Sequence, residues 1–294
     1  MPELPEVQTT VSDLEKKILG RVFVDVWTDC EKIIKKPKSF REFKKKIKGK
    51  KIEKIWRRGK NIIFNLSGKP PSFLLIHQKL TGHLLLGKWE IKKERGKIKI
   101  ESKIEGPLKD PINLFLHLIF YLDNGFQLGL SDLRKFAKVT LLDKKELEKE
   151  IEELGPEPLD ENFTFEKFKK VLPKKGKIKE VLMNQKIIAG IGNIYSDEIL
   201  WRAKIHPLKE VFELKENQLR EIFKAMKEIL KEAIKRGGES ISDYRRITGE
   251  KGNFDEIRKV YRREGEKCFR CQSKIKRLKI KGRSSYFCEK CQKL

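Results

Sequence analysis

Cys268-Phe-Arg-Cys271 and, sixteen residues further on, Cys288-Glu-Lys-Cys291 constrain the end of this chain more tightly than any other feature. Two C-x2-C pairs at this separation let four thiolates close a tetrahedral site around one zinc ion. Four protein ligands leave no open coordination position, so the metal is expected to be structural. Cys30 stands apart and reads as a small buried residue, while His77, His83, His117 and His206 all lie outside the module. Between the cysteine pairs runs KIKRLKIKGRSSYF, a basic hairpin too small to fold without its metal. Its Arg283 is placed to reach a groove while neighbouring Lys and Arg side chains meet phosphates.

The charge of the whole chain points the same way. Its 294 residues carry 69 Lys and Arg against 43 Asp and Glu, a formal net charge of +26. Heavy use of Lys, Ile and Glu can reflect a heat-adapted proteome, but this excess is larger than interspersed Lys–Glu surface pairs require. An acidic polymer is the expected partner. No charged start is followed by an apolar leader, and no apolar run approaches the roughly 18 residues of a membrane span. A cytoplasmic, nucleoid-associated protein is expected, in a reducing compartment where clustered cysteines serve as metal ligands and not as disulfides.

Hydrophobic periodicity divides the chain. In TTVSDLEKKILG, Val11, Leu14 and Ile18 recur at helical spacing and Gly20 offers a stop. From Arg21 to Leu142 the pattern changes to short β-rich runs such as VFVDVW, NIIFNL and KVTLL, read as an antiparallel sandwich or barrel. Gly155-Pro156-Glu157-Pro158-Leu159 is a break, and apolar positions three and four apart follow it. The expected division is therefore 1–142 as a β-sandwich, 143–155 as linker, 156–260 as a helical domain and 261–294 as the zinc hairpin. The fold class is α+β.

The amino end is a second candidate site. An initiator Met before Pro is normally removed, leaving Pro2 with a secondary amine that can attack an aldehyde-like sugar carbon and form an iminium. An α-amino group titrates near pH 8, so part of it is neutral and nucleophilic at physiological pH. Glu3 beside it is placed for proton transfer. The same residues also suit the ordinary start of a helix, with Pro and acidic side chains in the first turn.

Four stretches resemble the formamidopyrimidine-DNA glycosylases: PELPEV at the start, RRGKNIIF holding Lys60, AGIGNIYSDEIL, and the closing GRSSYFCEKCQK. They stand in family order and span both ends and the middle of the chain. The resemblance implies an N-terminal β-sandwich preceded by a helix, a helix-two-turn-helix domain and a zinc hairpin. It assigns Pro2 as the Schiff-base nucleophile, Glu3 as acid/base, and Lys60 as a phosphate contact that assists elimination. Arg283 is counted with both the catalytic and the DNA-binding residues. Asn193 in GIGNIY is implied to hold phosphate, with Gly190 and Gly192 allowing close approach. A glycosylase must turn its target nucleotide out of the stack and fill the space. The matching positions are Leu80 in HQKLTG, with His77 at the head of that stretch among the DNA contacts, and Arg134 and Phe136 in SDLRKFA. Leu80 departs from the family's Met, and Leu133, Lys135 and Ala137 depart from its usual context. Residues 242–266, SDYRRITGEKGNFDEIRKVYRREGE, resemble the family's loop over the flipped base, where mobility is expected.

The resemblance implies a bifunctional glycosylase and AP lyase acting on oxidised purines in duplex DNA, monomeric, with one structural Zn2+ and no small-molecule cofactor. Leu4 in PELPEV matches the oxidised-purine branch, because the endonuclease VIII branch usually carries Gly there. Two alternatives stand beside it: an oxidised-pyrimidine glycosylase, and a non-enzymatic zinc-ribbon protein that binds nucleic acid through charge alone.

Overall fold

A computed structural model describes residues 1–94, 96–240 and 243–294. They form two compact units, Met1–Glu152 with Gly237–Asn253, and Glu153–Arg236 with Phe254–Leu294. No described helix is long and apolar enough to cross a membrane.

The first unit opens with helix α1 (Leu4–Ile18), which has Pro5 in its first turn and Lys16 and Lys17 in its last. Both placements favour a helix, Pro because its missing N–H is not needed there and Lys because it faces the negative end of the dipole. Strands β1 (Phe23–Thr28) and β2 (Ile34–Lys36), helix α2 (Phe40–Ile47), then β3 (Ile52–Arg58), β4 (Asn61–Leu66), β5 (Ser72–His77) and β6 (His83–Gly87) follow. A hairpin of β7 (Trp89–Glu94) and β8 (Lys97–Ser102) precedes β9 (Leu116–Leu122), β10 (Gln127–Ser131), β11 (Lys138–Leu142) and helix α3 (Lys144–Glu152). One sheet runs β1-β9-β10-β6 and the other β2-β11-β5-β4-β3. Their inward residues make one core: Phe23, Leu118, Phe120, Leu128 and Leu130 from the first sheet, and Ile55, Ile62, Phe64, Ile76 and Val139 from the second. Val7, Val11, Leu14 and Ile18 of α1 join it, so the helical spacing and the period-two strands bury their apolar faces together.

Three features differ from the sequence expectation. The sandwich is antiparallel except for β2, which pairs parallel to β11 through Val139↔Ile34 and Thr140↔Lys36. Much of the expected linker 143–155 is helix α3, because Leu147 covers Ile63, Leu75 and Leu142 on the outer face of the second sheet. Residues 237–253, expected in the helical domain, belong to the sandwich unit. Ile247 enters its core, Leu86 donates its N–H to the Ile247 carbonyl at 2.8 Å, and the Arg246 guanidinium makes two hydrogen bonds to Asp13. The segment read as a mobile cover loop is thus packed over residues 243–253, while Ile241 and Ser242 lie outside the described residues.

The second unit contains α4 (Phe165–Val171), α5 (Ile178–Met183), α6 (Asn193–Arg202) and α7 (Glu216–Lys235), then a hairpin of β12 (Lys276–Ile280) and β13 (Arg283–Phe287). The hairpin falls within this compact unit. Trp201 of α6 shares a core with Val260, Cys268, Ile275 and Cys288, and the buried Glu198 carboxylate accepts the N–H groups of Lys259, Val260 and Tyr261.

Phe120 is fully buried, with ring centroids 5.1 Å from Phe23 and 6.2 Å from Phe43. Phe120→Ala is expected to cost about 3–5 kcal/mol of stability, measured as a lowered urea midpoint of the N-terminal unit.

Candidate functional site

Pro2 and Glu3 are buried immediately before α1, and their position is set by Glu6. One Glu6 oxygen accepts the Glu3 N–H at 2.7 Å and the other accepts the Glu239 N–H at 2.8 Å. The Tyr244 hydroxyl donates to the Glu6 backbone carbonyl at 3.1 Å. Gly238 has φ +84°, and a Cβ there would lie 2.8 Å from Glu6 Oε1, so only glycine fits beside this carboxylate. The terminal amine, carried by Met1, is held below its ordinary pKa chiefly by burial; Glu3 and Glu6 oppose the shift and Lys60 adds to it. Lys60 stands in the tight turn between β3 and β4 and is itself buried. Arg57 secures that turn, donating to the Gly59 carbonyl at 2.9 Å and to Gln8 Oε1 of α1 at 3.0 Å. The terminus, Glu3 and Lys60 are therefore one electrostatic group, made from the first residues of the chain and a β-turn.

Beside it, β5 pairs His77 with Asn61 on one flank and with Lys138 on the other. The Lys79 N–H donates to His77 Nδ1 at 3.0 Å, so the neutral ring carries its proton on Nε2. Burial, then Lys79, Lys60 and Lys138, push the His77 pKa down to about 3, which leaves a neutral N–H donor among ammonium groups.

Leu80, Arg134 and Phe136 lie on two loops tied together by a hydrogen bond from the Thr81 hydroxyl to the buried Asp132 carboxylate. Arg134 N–H donates to Thr81 Oγ1 at 3.1 Å, and Ala137 N–H donates to Asp132 Oδ2 at 2.7 Å. Leu80 is 40% and Phe136 53% exposed, large values for residues of their size. The residues before them, Lys79 and Lys135, have φ of 56° and 55°. Such left-handed backbone at non-glycine residues is strained and gathers at functional sites. Both apolar side chains border a cleft of about 470 Å³ lined otherwise by Lys32, Lys35, Lys79, Lys135 and Lys138.

In the second unit Asn193 opens α6 after Gly192, and its Nδ2 donates to the Ser284 carbonyl at 2.9 Å. Gln185 holds the preceding turn by accepting the Gly190 N–H and donating to the Ile191 carbonyl. Arg283 is exposed at the hairpin tip, directly after Lys281 (φ 44°) and Gly282 (φ 73°). Two positive φ values suit a two-residue turn joining twisted strands. The thiols of Cys268, Cys271, Cys288 and Cys291 lie within 4.8 Å of one another. Tetrahedral Zn–S bonds of about 2.3 Å place sulfurs somewhat under 4 Å apart, and the Cys268–Cys291 separation is 3.9 Å. The donor set fits one structural zinc ion.

Family models match nearly the whole chain: the formamidopyrimidine-DNA glycosylase N-terminal domain over residues 1–139, the H2TH domain of the same enzymes over 154–245, and the zinc finger found in FPG and IleRS over 265–294. The chain belongs to the formamidopyrimidine-DNA glycosylase family. It is 38% identical to the formamidopyrimidine-DNA glycosylase of Pelotomaculum thermopropionicum, with 100% of each chain covered. A Lactococcus lactis FPG mutant bound to Fapy-dG containing DNA superposes with a TM-score of 0.85 at 34% identity over 100% of both chains. The wild-type Lactococcus lactis FPG with oxidised-pyrimidine DNA gives 0.84 at 33%, again over 100% of both.

Within this member of the family, the sandwich unit gathers Pro2, Glu3, Lys60 and His77 and displays Leu80, Arg134 and Phe136. The second unit carries Asn193, Arg283 and the cysteines. Glu6 and Asp132 escaped sequence reading. Glu6 had a signal, since an acid three residues after a helix cap is the capping-box spacing; its bond to Glu239 had none. Asp132 works through contacts invisible to local pattern.

His83 is buried and also held low, to about 4, by burial. Both rings bind a proton more weakly folded than unfolded, so the stability they confer is complete above pH 6.5. It is lost as pH falls towards about 4 for His83 and about 3 for His77. The melting temperature should fall across that window, and His83→Gln should flatten the fall. Stripping zinc should lower DNA affinity while the N-terminal unit keeps its unfolding transition; affinity unchanged after metal loss would take the hairpin out of DNA binding.

Proposed function

We propose that the protein is a bifunctional DNA glycosylase and AP lyase that removes oxidised purines, 8-oxoguanine and formamidopyrimidines, from duplex DNA in base excision repair. The observation that carries this reading is the buried start of the chain, Pro2 and Glu3, beside the buried Lys60 of the β3–β4 turn. Burial holds the Met1 amine below its ordinary pKa there, and a Pro2 amine in the same setting is neutral more often, as a nucleophile requires.

With Met1 removed, the Pro2 nitrogen attacks C1′ of the extruded nucleotide. The glycosidic bond breaks, its electron pair leaves with the base, and Glu3 exchanges a proton with the sugar ring oxygen as the ring opens. The secondary amine then yields an iminium. That electron sink acidifies C2′, so β-elimination expels the 3′ phosphate and δ-elimination the 5′ phosphate. Lys60 and the His77 Nε2–H meet phosphates beside the reacting sugar. Leu80 and Phe136 enter the space vacated by the base, with Arg134 beside them. Asn193 and Arg283 add contacts from the second unit to the DNA backbone. The protein acts as a monomer in the cytoplasm, with no small-molecule cofactor.

Borohydride reduction on a duplex containing 8-oxoguanine should give a covalent adduct linked at Pro2. Pro2→Gly, or one extra residue before Pro2, should abolish it; trapping at another residue would overturn the assignment. The Lactococcus lactis relative bound to oxidised-pyrimidine DNA favours a second reading, activity on oxidised pyrimidines. Faster release of thymine glycol than of 8-oxoguanine would establish that reading instead.

A further inference from the structure

The second unit encloses an ion pair that DNA chemistry does not use. Lys179 of α5 and Asp197 of α6 are both 0% exposed, with Nζ and Oδ1 2.6 Å apart. Burying two charges costs more desolvation than their attraction readily returns, and an apolar pair of similar volume often serves stability as well or better. What the pair does instead follows from its remaining bonds. Asp197 Oδ1 accepts the Ser285 hydroxyl at 2.8 Å and Oδ2 accepts the Tyr286 N–H at 2.9 Å. Lys179 Nζ reaches the Ser284 carbonyl at 3.4 Å, the same oxygen that takes the Asn193 amide at 2.9 Å.

Three consecutive residues of β13 are thus fastened to two helices, and the residue just before them is Arg283. At its other end β13 runs into the zinc ligand Cys288. The metal fixes where the strand ends, but Arg283 stands five positions earlier, at the far end of the strand next to a turn whose Gly282 gives no rigidity of its own. Charge-assisted bonds are directional, so the pair sets the depth and rotation of β13 in a way an apolar contact would not.

We propose that Lys179 and Asp197 are positioning residues whose buried ion pair holds β13 so that Arg283 is presented to DNA. This rests on the glycosylase reading above, in which Arg283 meets DNA. Asp197→Asn would leave a buried ammonium without its counter-charge and so confuse position with stability. The informative variant is Lys179→Met combined with Asp197→Leu, which removes both charges and keeps the volume.

The test measures affinity for a duplex with an abasic-site analogue across a salt series, on full-length zinc-loaded protein, for wild type, Arg283→Ala, the double variant and the triple variant. Loss of one DNA-facing charge should lower the slope of log affinity against log salt by about one. The double variant should retain zinc and its melting temperature, bind about ten-fold more weakly at 150 mM salt, and show the same reduced slope as Arg283→Ala. Adding Arg283→Ala to it should change nothing further. A folded double variant with wild-type slope, in which Arg283→Ala still has its full effect, would overturn the proposal.

Should the double variant not fold, Ser285→Ala removes one Asp197 bond and leaves the pair intact. It should weaken binding about three-fold with the slope reduced in part, and an unchanged affinity and slope would equally overturn the proposal. Wild type that fails to prefer the lesion duplex, or is not trapped by borohydride, contradicts the glycosylase reading. Wild type that is trapped, beside variants that bind normally, contradicts only the positioning role.

Discussion

Glu6 is a carboxylate placed where a charge is costly, and the amino end of the molecule is arranged around it. Its two oxygens accept backbone N–H groups from Glu3 and Glu239, residues far apart in sequence, so the first turn of α1 and the 237–253 segment are held by one group. Because both donors are main chain, the bonds locate backbone, and the residues before Glu3 inherit that position. The amine at the chain end is consequently buried among charges. A free terminus would sample solvent, and its amine would keep an ordinary affinity for protons.

The exposed loops of the sandwich show the opposite economy. Leu80 and Phe136 are left exposed, and Lys79 and Lys135 are left in strained backbone. The Thr81–Asp132 bond allows this, since it anchors both loops to buried polar groups while their tips remain uncovered. On the proposed reading, the lysines bring in a polyanion and the exposed apolar tips enter its base stack. His77 is kept neutral chiefly by burial and then by the ammonium groups around it.

Much of this was readable in advance, and the limits of reading follow from range. Val11, Leu14 and Ile18 announce α1 because helical contacts recur every three to four residues, and NIIFNL announces a strand because pleating alternates faces. Ile63 alone of this strand's outer face is apolar, too weak a signal to name a covering element. α3 supplies that cover, from a stretch that had looked like linker. The 237–253 segment was limited in the same way. Its Gly237, Gly238, Gly249 and Gly252 mark it as a loop, and only Ile247 entering the sandwich core shows what it packs against.

Local spacing was enough to identify the zinc ligands, the helix at the amino end and the β-rich first half. Each of these is encoded by spacing within a few turns of chain or by a short motif whose residue types have few other uses. Folding alone reveals that Glu6 locates the terminus, that Asp132 ties the loops carrying Leu80 and Phe136, and that Lys179 and Asp197 fasten β13. Those roles depend on bonds between residues scores of positions apart, and whether a carboxylate or an ammonium is buried against a distant partner or left in water is settled by folding, not by its neighbours in the chain.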